Sequence, residues 1–139
     1  LTLIKPNYIF LGQKDFQQLI LIKNYILKKH KTKVVMCKTI RERNGLAFSS
    51  RNFLLNKREK IIAAKVYNYL KNKKNLFKIK KNTIKITKHL KMKLIKFGVK
   101  KIDYIKFLNL KKIDKDFNKN TNRIFVAYHL NNVRLIDNF

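Results

Sequence analysis

The spacing of apolar residues changes along the chain, and each change marks an element. Residues 7 to 11, Asn7-Tyr8-Ile9-Phe10-Leu11, are β-prone and apolar, as in a buried parallel strand. Gly12 then breaks the run. Asp15 stands where a helix cap belongs, with Gln18 three positions on, a capping-box spacing. Phe16, Leu19, Ile22, Ile26 and Leu27 follow at helical spacing. The basic stretch from Lys28 to Lys33 suits a helix end and a short loop. Val34-Val35-Met36-Cys37 reads as the next buried strand. Strand, helix and strand in that order form a βαβ unit.

Residues 38 to 52 show no period and carry an Asn44-Gly45 turn signal. Two helical patterns come next. Leu55, Ile62, Val66 and Tyr69 define one face, and Ile86, Leu90, Leu94 and Phe97 define the other, with Gly98 placed to stop the second helix. Three strand-like segments close the chain: Ile102 to Leu108, Arg123 to His129, and Val133 to Ile136. Leu130-Asn131-Asn132 is the expected hairpin between the last two. Lys111 to Asn122 is polar and reads as a loop. The Lys/Asn-rich patches at 71 to 75 and 78 to 82 are biased in composition but short. The expected architecture is an α/β end piece over residues 1–40, followed by a small α+β unit over 41–139 with an antiparallel sheet.

At 45% hydrophobic residues the chain can bury a core, which argues against wholesale disorder. No apolar run reaches 18 residues, so no membrane span is expected. No signal-peptide pattern is seen. A single cysteine, Cys37, cannot form an internal disulfide, which fits a reducing compartment. The chain starts at Leu1 and enters a strand-like segment within a few residues. It is expected to be a piece of a longer protein.

A formal charge of +28 points first to a basic nucleic-acid-binding module. The composition offers another source. Lys occurs 29 times, Ile 17 and Asn 16, whereas Gly, Pro and Ala total eight. Codon bias in an A/T-rich genome moves all these counts in the observed directions, and a selected binding surface has no reason to deplete Ala. The lysines are scattered over every segment and are not interleaved with aromatics in a compact stacking motif. The expectation is therefore no nucleic-acid partner, with the binding module kept as the alternative.

Two segments carry candidate chemistry. Gly12-Gln13-Lys14-Asp15 follows a strand and opens a helix, where ligands bind in open α/β sheets. Glycine admits a ligand close to the backbone, the helix start offers free N–H groups to an anion, and Lys14 adds a full charge. A plain turn with a capping Asp15 explains the same residues. Gln18, one turn on, has an amide suited to a hydroxy acid, or to a cap. In Gly45-Leu46-Ala47-Phe48-Ser49-Ser50-Arg51-Asn52, two hydroxyls and a guanidinium in succession suit a phosphate chain. Arg grips phosphate oxygens with a fork that Lys lacks. An ordinary polar loop is the alternative.

These residues resemble a known family. Leu11-Gly12-Gln13-Lys14-Asp15-Phe16-Gln17-Gln18-Leu19 is similar to a segment of the pantothenate synthetases (pantoate–beta-alanine ligases) written Phe-Gly-Glu-Lys-Asp-Phe-Gln-Gln-Leu. Thr39 to Asn52 resembles the family's Thr-Val-Arg-Glu-x-Asp-Gly-Leu-Ala-Met-Ser-Ser-Arg-Asn. Arg134-Leu135-Ile136-Asp137-Asn138 matches the closing Arg-Leu-Ile-Asp-Asn, and Asp103-Tyr104 fits the Asp-Tyr opening a late strand. The blocks are ordered and compatibly spaced, and residues 53 to 100 match weakly.

The resemblance implies residues 1–40 as the end of a Rossmann-like ATP-binding domain and 41–139 as a C-terminal lid. It implies ATP and Mg²⁺, a pantoyl-adenylate intermediate, and attack on it by beta-alanine. Gly12, Gln13, Lys14, Asp15, Ile40, Phe48, Ser49, Ser50 and Arg51 correspond to ATP contacts and Gln18 to a pantoate contact. Arg51 would stabilise charge at the phosphorus. The turn at Gly12–Lys14 and the Ser49–Arg51 stretch are expected to face one triphosphate. A cytoplasmic homodimer is implied for the complete enzyme.

The departures are Gln13 for Glu, Leu11 for Phe, Phe48 for Met and Asn44 for Asp. The family's His-x-Gly-His block, with its catalytic histidine, is not among these residues and is expected upstream. The 139 residues alone are accordingly expected to be inactive. His30, His89 and His129 stand in no comparable motif. No His/Cys/Asp/Glu spacing predicts a zinc site, and no Ser/His/Asp arrangement can be argued.

Overall fold

The computed structural model describes residues 1–73, 83–115, 117 and 121–139. The chain divides into two compact units, Leu1–Ile40 and Arg41–Phe139.

In the first unit, β1 (Tyr8–Gly12) and β2 (Lys33–Cys37) pair in parallel, with Tyr8 opposite Lys33 and Gly12 opposite Cys37. Between them runs α1 (Phe16–Lys29), entered through a 3-10 turn at Gln13–Asp15. The helix buries Phe16, Leu19, Ile20 and Ile26. Leu27, expected on that face, is exposed. At 100° per residue Leu27 falls between Phe16 and Ile20 in angle, so its place in the last turn of the helix, and not the helical period, separates it from the packed residues.

Three further expectations for this unit are corrected. Gly12 is the last residue of β1 and not its breaker, because its backbone is ordinary extended chain (φ −69, ψ 134). Asp15 occupies the position before α1, but its side chain makes no capping hydrogen bond. The strands are not buried on both faces. Tyr8 and Phe10 are exposed on β1, since alternate residues of a strand point to opposite faces and α1 lies along only one.

In the second unit, β3 (Lys101–Asn109), β4 (Asn122–Leu130) and β5 (Val133–Asn138) form an antiparallel sheet in that order. The middle strand is buried continuously from Ile124 to Tyr128, which is why it reads as an unbroken apolar run. Ile124, Val126, Tyr128 and Leu130 join one core with residues of α2 (Lys57–Lys73) and α3 (Thr83–Lys96), chiefly Ala63, Val66, Leu70, Ile86, Leu90 and Leu94. Leu55 belongs to this core but lies before α2, not within it.

The helix ends are fixed by local chemistry. Asn56 and Glu59 bond each other's backbone N–H at 2.9 and 2.8 Å, a capping box that starts α2. The Glu59 carboxylate also accepts from the Asn131 amide, tying the helix start to the β4–β5 hairpin. Gly98 (φ +105) stops α3: its N–H reaches Ile95 O and the Val99 N–H reaches Leu94 O, so two terminal carbonyls are satisfied. The hairpin turn is two residues, Asn131-Asn132, because Leu130 pairs with Val133. Asn131 takes φ +48, a conformation asparagine tolerates. The compositional patch at 78 to 82, the end of the patch at 71 to 75 and part of the expected loop at 111 to 122 lie outside the described residues.

Candidate functional site

The candidate residues form two sets, one in each unit. In the first, Gly12 ends β1, Gln13-Lys14-Asp15 make the 3-10 turn, and Gln18 lies in the first turn of α1. Ile40 follows β2 by three residues and is exposed. Gly12, the turn and Ile40 thus gather at the carboxyl ends of two parallel strands, the edge at which open α/β sheets hold ligands.

Gly12 bears on the two sequence readings of this turn without choosing between them. Its φ is available to any residue, and a Cβ built on it would meet no protein atom within 4 Å. Neither backbone conformation nor packing inside this structure requires a glycine there. Open space above the backbone is what a closely approaching ligand needs. Asp15 and Gln18 stand at the start of α1, and the Asp15 side chain makes no capping hydrogen bond.

In the second unit the loop from Arg41 to Leu54 carries Phe48, Ser49, Ser50 and Arg51. Arg41 bridges to Ala47 as in an antiparallel pair, and Glu42 N–H bonds Leu46 O at 2.8 Å. Gly45 turns the loop at φ +96 and packs against Tyr67, where a Cβ would come within 2.5 Å of the ring. Asn44 fixes the turn by accepting from Leu46 N–H at 2.9 Å. Beyond it, the Ser49 hydroxyl accepts from Arg51 N–H at 3.3 Å and opens the 3-10 turn Ser50–Leu54. Asn52 is buried under this turn and donates to Ala47 O at 3.0 Å, while its Oδ1 is buried without a partner among the described residues. Phe48, Ser50 and Arg51 are left exposed and Ser49 half-buried. Arg51 pairs with no acidic side chain among the described residues.

The loop is anchored by residues to which the sequence pattern assigned no role. Arg41 holds Asp137 of β5 by two parallel bonds of 2.7 and 2.8 Å, and also donates to Gly45 O (3.1 Å) and Asn138 O (3.3 Å). Its guanidinium lies 3.9 Å from the centre of the Tyr67 ring, which meets Phe139 edge-on. Arg123 donates to the nearly buried Asn138 side chain at 2.7 Å, and burial lowers its pKa from the ordinary value. The available signal was the rarity of Arg in a Lys-rich chain: three of the six arginines, Arg41, Arg123 and Arg134, make defined side-chain bonds.

Elsewhere on the sheet, Asp103 sits at a bulge of β3 and takes Arg134 Nε at 2.7 Å and His129 Nε2 at 3.3 Å. The Arg134 hydrogen bond holds the Asp103 carboxyl below the ordinary range, against a smaller opposing effect of burial. Burial, chiefly, pushes the Tyr128 phenol up, with the nearby Asp137 acting in the same direction. His30 and His129 are half-buried and His89 is exposed. Among the described residues, no three His, Cys, Asp or Glu side chains gather as metal ligands, and no helix is long and apolar enough to cross a membrane.

Comparison with known proteins now bears on these turns. The family model for pantoate-beta-alanine ligase matches residues 1–139. The chain is 36% identical over 140 residues to the pantothenate synthetase of Flavobacterium psychrophilum, covering 98% of this chain and 49% of that protein. It is 37% identical to the pantothenate synthetase of Francisella tularensis subsp. mediasiatica, covering 100% and 45%. A crystal structure of pantoate-beta-alanine ligase from Francisella tularensis, complexed with beta-gamma ATP and beta-alanine, superposes with a TM-score of 0.74 at 36% identity, covering 100% of this chain and 45% of that one. The pantothenate synthetase structure from Thermus thermophilus gives 0.80 at 25% identity, covering 99% and 51%. The chain spans about half the length of the curated relatives it matches. By sequence and by fold, the chain belongs to the pantoate-beta-alanine ligase family.

Proposed function

We propose that this chain supplies one half of the machinery of an ATP-dependent ligase that joins pantoate to beta-alanine, within a cytoplasmic, homodimeric enzyme. The observation that carries this reading is the family match over all 139 residues. The open space at Gly12 and the exposed Arg51, which has no acidic partner among the described residues, support it from the structure.

In this reading each set of residues contributes contacts to ATP. Gly12, Gln13, Lys14 and Asp15 meet the nucleotide at the carboxyl edge of β1, and Ile40 meets the adenine through its backbone. Phe48, Ser49, Ser50 and Arg51 surround the phosphates. Mg²⁺, when bound, would offset phosphate charge; among the described residues no three His, Cys, Asp or Glu side chains gather to hold it, and no step is assigned to it. Gln18 orients pantoate. The pantoate carboxylate attacks the α-phosphorus; an O–P bond forms, and pyrophosphate leaves with the electrons of the bond that breaks. The amine of beta-alanine then attacks the acyl carbon, forming the C–N bond and releasing AMP. Arg51 faces the charge that builds on the phosphate in the first step, where a fixed guanidinium acts most strongly.

The test is a chimera in which residues 1–139 replace the corresponding half of the Francisella tularensis ligase. The expected result is pantoate-dependent exchange of labelled pyrophosphate into ATP, reduced on the order of 100-fold by Arg51→Lys without loss of thermal stability. A folded chimera without exchange, or with exchange indifferent to pantoate, contradicts the proposal. The isolated 139 residues should make no pantothenate.

A further inference from the structure

We infer that Arg41 and Asp137 form a positioning pair that holds the Ser49–Arg51 turn in place for phosphate. The inference rests on the reading of that turn as part of an ATP site.

The geometry separates this pair from an ordinary surface ion pair. The two side chains are 16% and 12% exposed, so the contact is shielded from solvent and from salt. The carboxylate is gripped at both oxygens, and the same guanidinium bonds two backbone carbonyls and stacks on Tyr67. Lysine can offer one ammonium at one point and cannot reproduce the fork.

The pair reaches the turn by two routes. Along the chain, Arg41 bridges to Ala47, and the Ala47 carbonyl takes the buried Asn52 amide, which lies inside the turn. Across the fold, Asp137 is part of β5, and β5 lies against Ser50–Leu54. Loop and strand, 96 residues apart in sequence, are thus locked to each other beside the turn. Arg41 and Asp137 need not touch a ligand. They act through the backbone that aims Ser49, Ser50 and Arg51.

Amide hydrogen exchange on the 139-residue chain tests this without requiring activity. In Arg41→Lys, exchange at Glu42, Arg51 and Asn52 should accelerate by about tenfold or more, while amides of α3 and β4 keep their rates. Asp137→Asn should loosen the same amides, and Arg134→Lys, which breaks a pair elsewhere on the sheet, should not. Uniform acceleration across the unit, or no local change, overturns the inference. Loss of cooperative unfolding in both Arg41→Lys and Asp137→Asn also overturns it, by making the pair a requirement of the fold. ATP affinity, measured on the chimera, keeps the two readings distinguishable. If the parent chimera binds ATP and Arg41→Lys weakens it about tenfold together with the local loosening, both readings stand. If the loop loosens but the parent chimera does not bind ATP, the positional role survives and the ATP reading falls. If ATP binding is unaffected despite loosening, the pair does not position a phosphate site.

Discussion

Replacing Gly45 with alanine should disturb the loop of Phe48 to Arg51 through two separable costs. The residue sits at φ +96, where a side chain costs about 1–2 kcal/mol. The added Cβ would also lie 2.5 Å from Tyr67 Cδ1 and 2.7 Å from Cε1, far inside contact distance. The ring cannot simply withdraw. It carries the Arg41 guanidinium at 3.9 Å on one side and packs edge-on against Phe139 at 5.2 Å. Forcing an atom into such a packed position costs about 1–3 kcal/mol. The sum is about 2–5 kcal/mol, which for a unit of about 100 residues lowers the unfolding midpoint by about 8 °C or more. Thermal unfolding followed by circular dichroism measures this. Gly12→Ala is the matched control, because its φ is ordinary and no atom lies within 4 Å of the new methyl. That variant should melt within about 2 °C of the parent or slightly higher, yet bind ATP more weakly in the chimera. If Gly45→Ala melts like the parent, the account of the loop anchor is wrong. If Gly12→Ala destabilises, the space above it is not free for a ligand.

Three further outcomes follow from individual contacts. Glu59→Ala removes the reciprocal bond of the capping box, from Asn56 N–H, and the bond to Asn131, and should cost about 1–3 kcal/mol in urea unfolding; an unchanged midpoint would discard the role of Glu59 in the box. Asp103 ionises more easily in the fold, mainly because Arg134 donates to it. Its contribution is present above the ordinary carboxylate value of about 4 and is lost as pH falls through its lower folded value. Asp103→Asn should therefore flatten the acid limb of the stability curve, and superimposable limbs would refute the pairing. The buried Tyr128 phenol resists ionisation in the fold. Its contribution is full below the ordinary value of about 10 and declines as pH rises from there toward the raised folded value. Tyr128→Phe should make stability less sensitive to pH above about 10, as equilibrium unfolding at alkaline pH would show.

Much of the fold was legible because local chemistry and burial agree. The βαβ order, α3 with its Gly98 stop, and the three late strands all follow from period and punctuation. Where they differ, the structure shows why. Leu27 was read onto the packed face and does share its angle with Phe16 and Ile20, but it lies in the last turn of α1 and is exposed there. Leu55 fits the helical period of α2, yet the Asn56–Glu59 box starts the helix after it; that spacing was readable and outranks a lone apolar match. Asp103 was placed in its strand, but its partners Arg134 and His129 were not legible, because a bulge shifts the strand register around it. The motif around Ser49–Arg51 was visible as residue types suited to phosphate. Its support was not, because Arg41 and Asp137 meet only through tertiary structure. No period connects residues so far apart.

The proposal that each of the two turns contacts ATP is tested most directly by amide exchange in the chimera as ATP is titrated. The account predicts that peptides covering Gly12–Asp15 and Phe48–Arg51 gain protection together, with a single midpoint, and that Arg51→Lys shifts both. Protection of only one of the two segments, or two unrelated midpoints, would contradict it.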